Sequence, residues 1–426
     1  MSRFTPEAAA GLDGPSWLRA HRTAAAERFA TLSLPTEAEE IWRYSRISSL
    51  DLDAFGLPTF TTPGHHGIPP EVAAVIASVS PAAGLVVLHN GRVVHLQVDP
   101  ALAARGLVVV DGSTLPDDEA VFDDAPPSVD ALTELNVAFV SGAVVVRSPP
   151  GLAVELPVLI VHWVDADGVA TFPRTVVTAG ADSELTVVEH HLSTDVAAFV
   201  DPVVQLDVGA AARMRHLNVQ DLGPRVFSTG YQSSRVQRDA TLHSSVVALG
   251  GDYARARHDS SVLGKGSTTN LNAVYFADGA RMHDFRTLQD HVAPASTSNL
   301  LFKGAVQDTG RSVYSGLIRV RKEARGTNAF QTNRNLVLSD GAGAESVPNL
   351  EIETDDVRCS HASAVGPIDE EQRYYLESRG IPPETAERLI VLGFLSEILD
   401  RLPTPELVTS IRATMARRLA SRGASA

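Results

Sequence analysis

The sequence contains very little cysteine: Cys359 is the only one in 426 residues. A single cysteine excludes an intramolecular disulfide framework. No stretch approaches the roughly 20 consecutive apolar residues that a membrane-spanning helix requires. The N-terminus lacks a basic region followed by an apolar run, so no secretory signal is expected. These absences predict a soluble, cytoplasmic protein.

Positive charge is also in deficit. The chain carries 51 acidic and 36 basic side chains, for a formal net charge of −15. Such a field repels nucleic-acid phosphates, so neither nucleic acid nor membrane is an expected partner. The phosphate-binding pattern G-x-x-x-x-G-K-[ST] and the dinucleotide pattern G-x-G-x-x-G are both missing from the sequence. We therefore expect no ATPase site in this chain, and any coupled ATP hydrolysis must come from a partner.

The N-terminal region, to about residue 60, is predicted to be helical. Gly14-Pro15-Ser16 is a start signal, and a second start at Thr36 has a glutamate three residues later, as in a capping box. Trp42 and Tyr44 are expected to anchor a core. Residues 56–70 are rich in proline and glycine and predict a linker. His65-His66 lies inside it, and we interpret this pair as solvated loop residues rather than a metal site.

From about residue 84 to 358 the sequence is dominated by short β-rich runs. Asn90-Gly91 joins the first two runs and is a strong hairpin signal. Helical periodicity is nearly absent, which indicates a sandwich, a barrel or a stacked solenoid. A sandwich uses about 100 residues, whereas a solenoid is extended rung by rung, so a parallel β-helix is preferred. Further runs are Ala143–Arg147, Val158–Trp163, Thr175–Thr178, Leu185–Glu189, Val203–Val208, Val246–Leu249, Leu317–Val320 and Leu336–Leu338.

Helical patterns return after His361. Pro367 to Gly380 reads as one helix that stops at glycine, and Ile381-Pro382-Pro383 starts the next. That second helix has too many apolar positions for a one-sided surface helix, and a last helix follows at about 404–421. The excess apolar surface fits either a partner docking face or packing against the body of the protein.

Cys359-Ser-His361 is the most distinctive short motif. On a strand, side chains two positions apart share a face, so this thiol and imidazole could reach one ion. Both ligand types suit iron, zinc or iron–sulfur clusters, but two ligands do not complete a tetrahedral site. Further ligands would have to come from elsewhere in the fold or from a second chain. The alternative is a buried thiol beside a surface histidine, with Asp355-Asp356 as a solvated turn rather than an iron-attracting pair.

Two other histidine groups are candidate metal ligands. His190-His191 follows Glu189, but adjacent strand residues face opposite ways, so a structural role is favoured over a metal pair. Arg281-Met282-His283-Asp284 together with His291 places two imidazoles and a carboxylate within eleven residues. For these we favour hydrogen bonding at the ends of rungs over iron handling or hydrolysis.

Six segments of the C-terminal third form a distinctive series in order and spacing: Ser298–Gly304, Tyr314–Val320, Gln331–Asp340, Pro348–Glu353, Asp355–His361 and Asp369–Gly380. With this series the chain resembles the SufB/SufD family of iron–sulfur cluster assembly scaffold proteins, in its SufD branch. Weaker similarity extends upstream through the Asn90-Gly91 hairpin and Leu135-Asn136.

The resemblance implies a mainly β fold: an N-terminal helical region and linker (1–70), a β-helix core (71–362) and a C-terminal helical domain (363–426). It implies a non-enzymatic scaffold subunit that pairs with a SufB-like scaffold and binds a SufC-like ABC ATPase through its C-terminal helices. A homodimer competes with the SufB heterodimer. The resemblance also implies that His361, and with it Cys359, serves iron acquisition and nascent cluster formation at the interface. Any iron or iron–sulfur cluster there would be transient and shared with the partner rather than stably bound by this chain.

One departure from the family pattern is visible. The family usually has glycine after the histidine, where this chain has Ala362. Two other functions were weighed: a structural subunit that stabilises the complex without donating ligands, and a polysaccharide lyase, since lyases also use β-helices. Lyases are usually exported, which disagrees with the missing signal.

Overall fold

A computed structural model of the chain describes residues 3–59, 68–116 and 128–420. The predicted linker lies partly outside these ranges, and His65 and His66 lie wholly outside them. None of the helices in the described ranges is long and apolar enough to cross a membrane. The boundaries of the three predicted regions stay predictions.

The core is a stack of β-rungs formed by two sheets that face each other, which confirms the predicted parallel β-helix. One sheet has ten strands in the order β2-β1-β5-β8-β11-β13-β15-β17-β19-β21, and the other has the path β20-β18-β16-β14-β12-β10-β7-β4-β3. The strands are β1 Gly84–His89, β2 Arg92–Val98, β3 Val108–Asp111, β4 Ala143–Ser148, β5 Val158–Val164, β6 Val169–Thr171, β7 Arg174–Ala179, β8 Glu184–Ser193, β9 Ala198–Val200, β10 Val203–Val208, β11 Arg213–Asp221, β12 Val226–Val236, β13 Thr241–Ala248, β14 Tyr253–Val262, β15 Thr268–Ala277, β16 Met282–His291, β17 Thr297–Val306, β18 Arg311–Val320, β19 Thr327–Val337, β20 Gly343–Ile352 and β21 Val357–Gly366.

Helices cover the solenoid at its N- and C-terminal parts. α2 carries the predicted start signal and buries Trp17 and Leu18. The helices are α1 Pro6–Ala10, α2 Ser16–Phe29, α3 Pro70–Ser78, α4 Pro100–Ala104, α5 Ala131–Phe139, α6 Glu370–Glu377, α7 Pro383–Leu399 and α8 Pro405–Ala420.

The rung corners explain the regular glycine and aspartate punctuation of the sequence. From β8 to β19, a residue with positive φ stands one or two positions before each strand of the ten-stranded sheet. Glycine tolerates this left-handed conformation because it has no Cβ atom to clash with the following carbonyl oxygen, and aspartate tolerates it because its short polar side chain can hydrogen-bond locally. These corner residues are Asp182, Ala211, Asp239, Gly266, Ala295 and Gly326.

The hairpin prediction is confirmed, whereas the second N-terminal helix is wrong. β1 and β2 pair antiparallel, and Asn90 and Gly91 both have positive φ, as a type I′ turn requires. After Thr36 the chain forms three short 3₁₀ turns, Glu40–Trp42, Ile47–Ser49 and Leu52–Ala54, although the backbone amide of Thr36 still donates to Glu39. Trp42 is buried as predicted, because the Arg255 guanidinium lies over its ring, but Tyr44 is exposed.

The ten-stranded sheet separates two apolar regions. Its inner face meets the eleven-stranded sheet, where side chains such as Ile160 and Val187 pack against Val177 and Leu206. Its outer face lies beneath α7 and α8, which pack on it through an apolar cluster that includes Leu395. The excess apolar surface of α7 is therefore largely used inside the protein.

Candidate functional site

Cys359 and His361 both lie on β21, the last strand of the ten-stranded sheet. β21 pairs in parallel with β19, so that Cys359 lies opposite Ala329 and His361 lies opposite Gln331. The strand has a sheet neighbour on one side only, because it ends the strand order. As predicted, the two side chains stand two positions apart on one strand and share a face.

The two side chains differ in exposure. Cys359 is half-buried and packs against the apolar cluster of Ile318, Val320 and Ala329. Burial raises the pKa of the Cys359 thiol, so the group is protonated at neutral pH. A thiol in this state becomes a ligand only when a metal ion displaces its proton. His361 is exposed and available to a second chain.

The terminal rung does not complete a metal site by itself. Asp355 and Asp356 are exposed in the turn between β20 and β21. Among the described residues, the one group of three metal-ligating side chains within 4.8 Å of one another lies elsewhere, at His162, Glu189 and His191. Cys359 and His361 belong to no such group among the described residues.

The rung that holds His361 also exposes apolar side chains. β20 and β21 are the end strands of their sheets, and each has unpaired backbone groups along one edge. Val347 and Ile352 on β20 are 38% and 42% exposed, and Val365 on β21 is 44% exposed. Large exposed apolar groups beside an open sheet edge are typical of a surface that pairs with another chain.

Ala362 does not disturb the motif. It lies within β21, opposite Thr332, and is not among the residues with positive φ. A glycine is therefore not required here by backbone conformation.

His283, Asp284 and His291 are not brought together, which agrees with the structural interpretation. His283 Nε2 lies 3.1 Å from the carbonyl oxygen of Gly250. His291 lies between the hydroxyls of Ser296 and Ser298, at 2.7 and 2.8 Å. Asp284 instead binds two arginines and the Tyr253 hydroxyl in a separate buried network.

His190 and His191 point to opposite faces of β8, as alternation requires. His190 lies opposite Val161 and Val219, which belong to the apolar cluster beneath the C-terminal helices. Burial, together with the nearby His162, lowers the pKa of His190 to about 3. His191 lies on the inner face of the sheet, in register with His162 of β5.

The inner face therefore holds a cluster that the sequence interpretation missed. Glu189 accepts hydrogen bonds from His162 Nε2 at 3.1 Å, His216 Nε2 at 3.0 Å and Thr175 Oγ1 at 3.0 Å. Burial alone raises the pKa of Glu189, but the hydrogen bonds and charges of His162 and His216 outweigh it, so the pKa lies below its usual value. The sequence signal for this cluster is Glu189-x-His191, because residues two apart on a strand share a face. His162 joins the cluster only through the register between β5 and β8, which the sequence pattern does not give.

Comparison with known proteins gives the class of this chain. Residues 162–394 match the family profile described as "SUF system FeS cluster assembly, SufBD core domain". The matched region contains most of the β-helix, Cys359, His361 and the start of the C-terminal helices. The chain therefore belongs to the SufBD core family, and it falls in the SufD branch, as the sequence motifs predicted.

Individual relatives agree with this placement. The chain is 27% identical to the iron–sulfur cluster assembly protein SufD of Bacillus subtilis over 420 residues, covering 95% of this chain and 94% of that protein. It is 33% identical to SufD of Escherichia coli over 238 residues, 56% of each chain. An iron–sulfur cluster assembly SufBD family protein of Mycobacterium tuberculosis is 40% identical over 224 residues, which cover 51% of this chain and 56% of that relative. The match thus spans about half the length of the mycobacterial protein.

Proposed function

We propose that this chain is a SufD-like scaffold subunit of a Suf iron–sulfur cluster assembly complex. In this proposal the terminal rung of its β-helix docks against a SufB-like scaffold, and His361 and Cys359 contribute ligands to iron or a nascent cluster there. The observation that carries the proposal is the exposed imidazole of His361 on the open edge strand of a SufBD-family solenoid.

The ligand chemistry supports a shared, transient site. An iron–sulfur cluster takes about four protein ligands, usually cysteine thiolates. The terminal rung offers one thiol and one imidazole, so a stable cluster needs groups from a second chain. An exposed histidine binds and releases iron more readily than a closed four-cysteine cage, which suits delivery of iron to a growing cluster.

Docking of the terminal rung follows from its open edges. Strand pairing across two chains satisfies unpaired backbone groups of β20 and β21, and it buries Val347, Ile352 and Val365. The same surface would serve a homodimer, so two copies of this chain compete with the SufB-like heterodimer.

The C-terminal helices are the proposed site of a SufC-like ABC ATPase. Although α7 and α8 pack on the solenoid, Tyr374 and Tyr375 of α6 are 73% and 58% exposed, and Leu389 of α7 is 48% exposed. Exposed tyrosines are enriched at protein contacts. ATP hydrolysis then belongs to the partner, and this chain acts as a scaffold rather than an enzyme.

The proposal is tested by co-expressing the chain with its SufB-like and SufC-like partners and measuring iron and sulfide in the purified complex. We expect His361→Ala to lower both, with the complex still assembled. His95→Ala is the matched control, because His95 lies on β2, at the opposite edge of the same sheet. Equal cluster content in both variants would contradict the ligand role.

A purely structural subunit is the alternative, and the packing of Cys359 against an apolar cluster favours it for that residue. In that case His361→Ala leaves cluster content unchanged, while removal of residues from 367 onward abolishes the complex. The two results together separate a ligand donor from a stabilising subunit.

A further inference from the structure

The inner cluster of the solenoid has the composition of a metal site. Glu189 and His191 lie on β8, and His162 lies opposite His191 on the neighbouring strand β5. All three side chains are buried, and their ligand atoms lie within 4.8 Å of one another. The chemistry at the terminal rung does not use them.

We propose that His162, Glu189 and His191 form a binding site for a divalent first-row transition metal ion inside the β-helix. Two imidazoles and one carboxylate are the ligand set of many zinc and non-haem iron(II) sites. This inference does not depend on the function proposed for the terminal rung.

The two imidazole nitrogens lie near the same carboxylate oxygen. The Nε2 atoms of His162 and His191 lie 3.1 Å and 3.9 Å from the same Oε2 of Glu189. Ligand atoms about 2.0–2.1 Å from one ion stand roughly 3.0–3.4 Å apart. His162 already meets this spacing, and His191 reaches it by a shift of roughly half an ångström.

The ring arrangement follows from the rung register. His162 and His191 are cross-strand partners, and their rings stack with centroids 4.1 Å apart and an interplanar angle of 1°. Because parallel rings direct their in-plane nitrogen lone pairs in parallel, the His191 ring has to shift and rotate for its nitrogen to face the same ion as the His162 nitrogen.

His191 has no other visible use for its polar atoms. In the described structure neither of its ring nitrogens has a hydrogen-bond partner, although the side chain is buried. An unsatisfied buried polar group costs about 1–3 kcal/mol.

The surroundings supply what a metal site needs beyond its three ligands. Thr175 and His216 hold the Glu189 carboxylate through hydrogen bonds of 3.0 Å each, as outer-shell groups orient ligands in metalloproteins. His191 also lines a cavity of about 60 Å³ that includes Gln220 and His258. That space is large enough for a water molecule as a further ligand.

The test uses the full chain with Cys359→Ser and His361→Ala, so that the terminal rung contributes no ligands. The protein is produced in medium supplemented with either iron(II) or zinc(II), purified without oxygen, and analysed for metal by mass spectrometry. We expect about one ion per chain in at least one arm, and the arm that loads identifies the metal. Less than about a tenth of an ion per chain in both arms would overturn the proposal.

Variants locate the ion. His191→Gln and Glu189→Gln should each lower the metal content at least about tenfold, whereas His190→Gln should retain it. His190 is the matched control, because it is buried on the same strand but faces the other way. Equal metal content in the His191 and His190 variants would contradict the assignment.

A spectroscopic measurement covers the case in which a variant fails to fold. X-ray absorption of the metal-loaded background protein should show imidazole nitrogen and carboxylate oxygen around the ion. Absence of the imidazole signature refutes the site without use of any inner variant, and cluster assembly at His361 is unaffected by either result.

Discussion

Replacement of Asp284 by asparagine should release the N-terminal segment from the solenoid. Asp284 is fully buried and binds Arg255 at 2.8 Å and Arg286 at 2.6 Å. These two arginines in turn donate to the backbone carbonyls of Ile41 and Arg43. One carboxylate thus holds both cations that anchor the segment around Trp42.

The expected magnitude follows from the loss of one partner in a buried ion network. Asp284→Asn leaves two guanidinium groups without a buried counter-charge, which costs about 3–5 kcal/mol. If the segment opens locally, amide hydrogen exchange at residues 41–43 should accelerate by at least about 100-fold, since 1.4 kcal/mol is a factor of ten. Exchange in distant strands such as β17 should change little.

The control is Asp195→Asn, which breaks an exposed ion pair with Arg225. Solvent screens exposed pairs, so the control should leave exchange at residues 41–43 unchanged. Hydrogen-exchange mass spectrometry compares the two variants directly. Unchanged protection of that segment in Asp284→Asn would refute the anchoring role.

The same network predicts an acid-dependent loss of stability. Burial raises the pKa of Asp284, but the charges of Arg255 and Arg286 and the hydrogen bonds outweigh it, so the folded-state pKa lies below its usual value. A carboxyl with a lowered folded pKa stabilises the fold fully above its unfolded pKa of about 3.9, and this stabilisation is lost as pH falls through the folded pKa. The Asp284-dependent difference in protection should therefore be constant above about pH 5 and shrink below about pH 4.

Three further predictions concern the C-terminal half. Leu395→Ala, at a fully buried position, should destabilise the packing of α7 by about 2–5 kcal/mol and expose it to limited proteolysis. Leu389→Ala, at a 48% exposed position, should change the free energy of unfolding by less than about 0.5 kcal/mol. Equal destabilisation by Leu395→Ala and Leu389→Ala would contradict the packing of α7 on the solenoid through Leu395. Because its pKa is raised, Cys359 should react with iodoacetamide more slowly than a free cysteine at pH 7 and accelerate as pH rises; fast reaction at pH 7 would show that this is wrong. Val365→Glu should weaken co-purification with a SufB-like partner or a second copy of the chain, without lowering the thermal midpoint of the chain alone. Leu263→Glu is its control, at a similarly exposed position away from the terminal rung.

The fold was largely predictable from the sequence because its signals are local. Asn90-Gly91 specifies its turn through backbone conformations that few other residue pairs adopt, and short β-runs with Gly and Asp corners repeat along the chain. Tyr44 was misplaced because an aromatic residue near a buried tryptophan suggests a core, whereas the 3₁₀ turn directs it outward. Local sequence does not specify the direction in which the 3₁₀ turn points the Tyr44 side chain.

The two candidate sites also differ in how far local sequence predicts them. Cys359 and His361 are two residues apart on one strand, so their shared face follows from alternation alone. His162 and His191 meet only because β5 and β8 are neighbours in a particular register. Register between rungs is fixed by corner geometry and by packing of the whole stack, which short-range patterns do not specify.

The location of His361 at a subunit interface is tested most directly by site-specific photo-crosslinking. A photoreactive amino acid at Ser363 shares the strand face of His361 and leaves the imidazole intact. The account predicts a crosslink from position 363 to the SufB-like partner or to a second copy of the chain, and none from position 95 at the far edge of the sheet. A crosslink from position 95 but not from position 363, in an assembled complex, would contradict it.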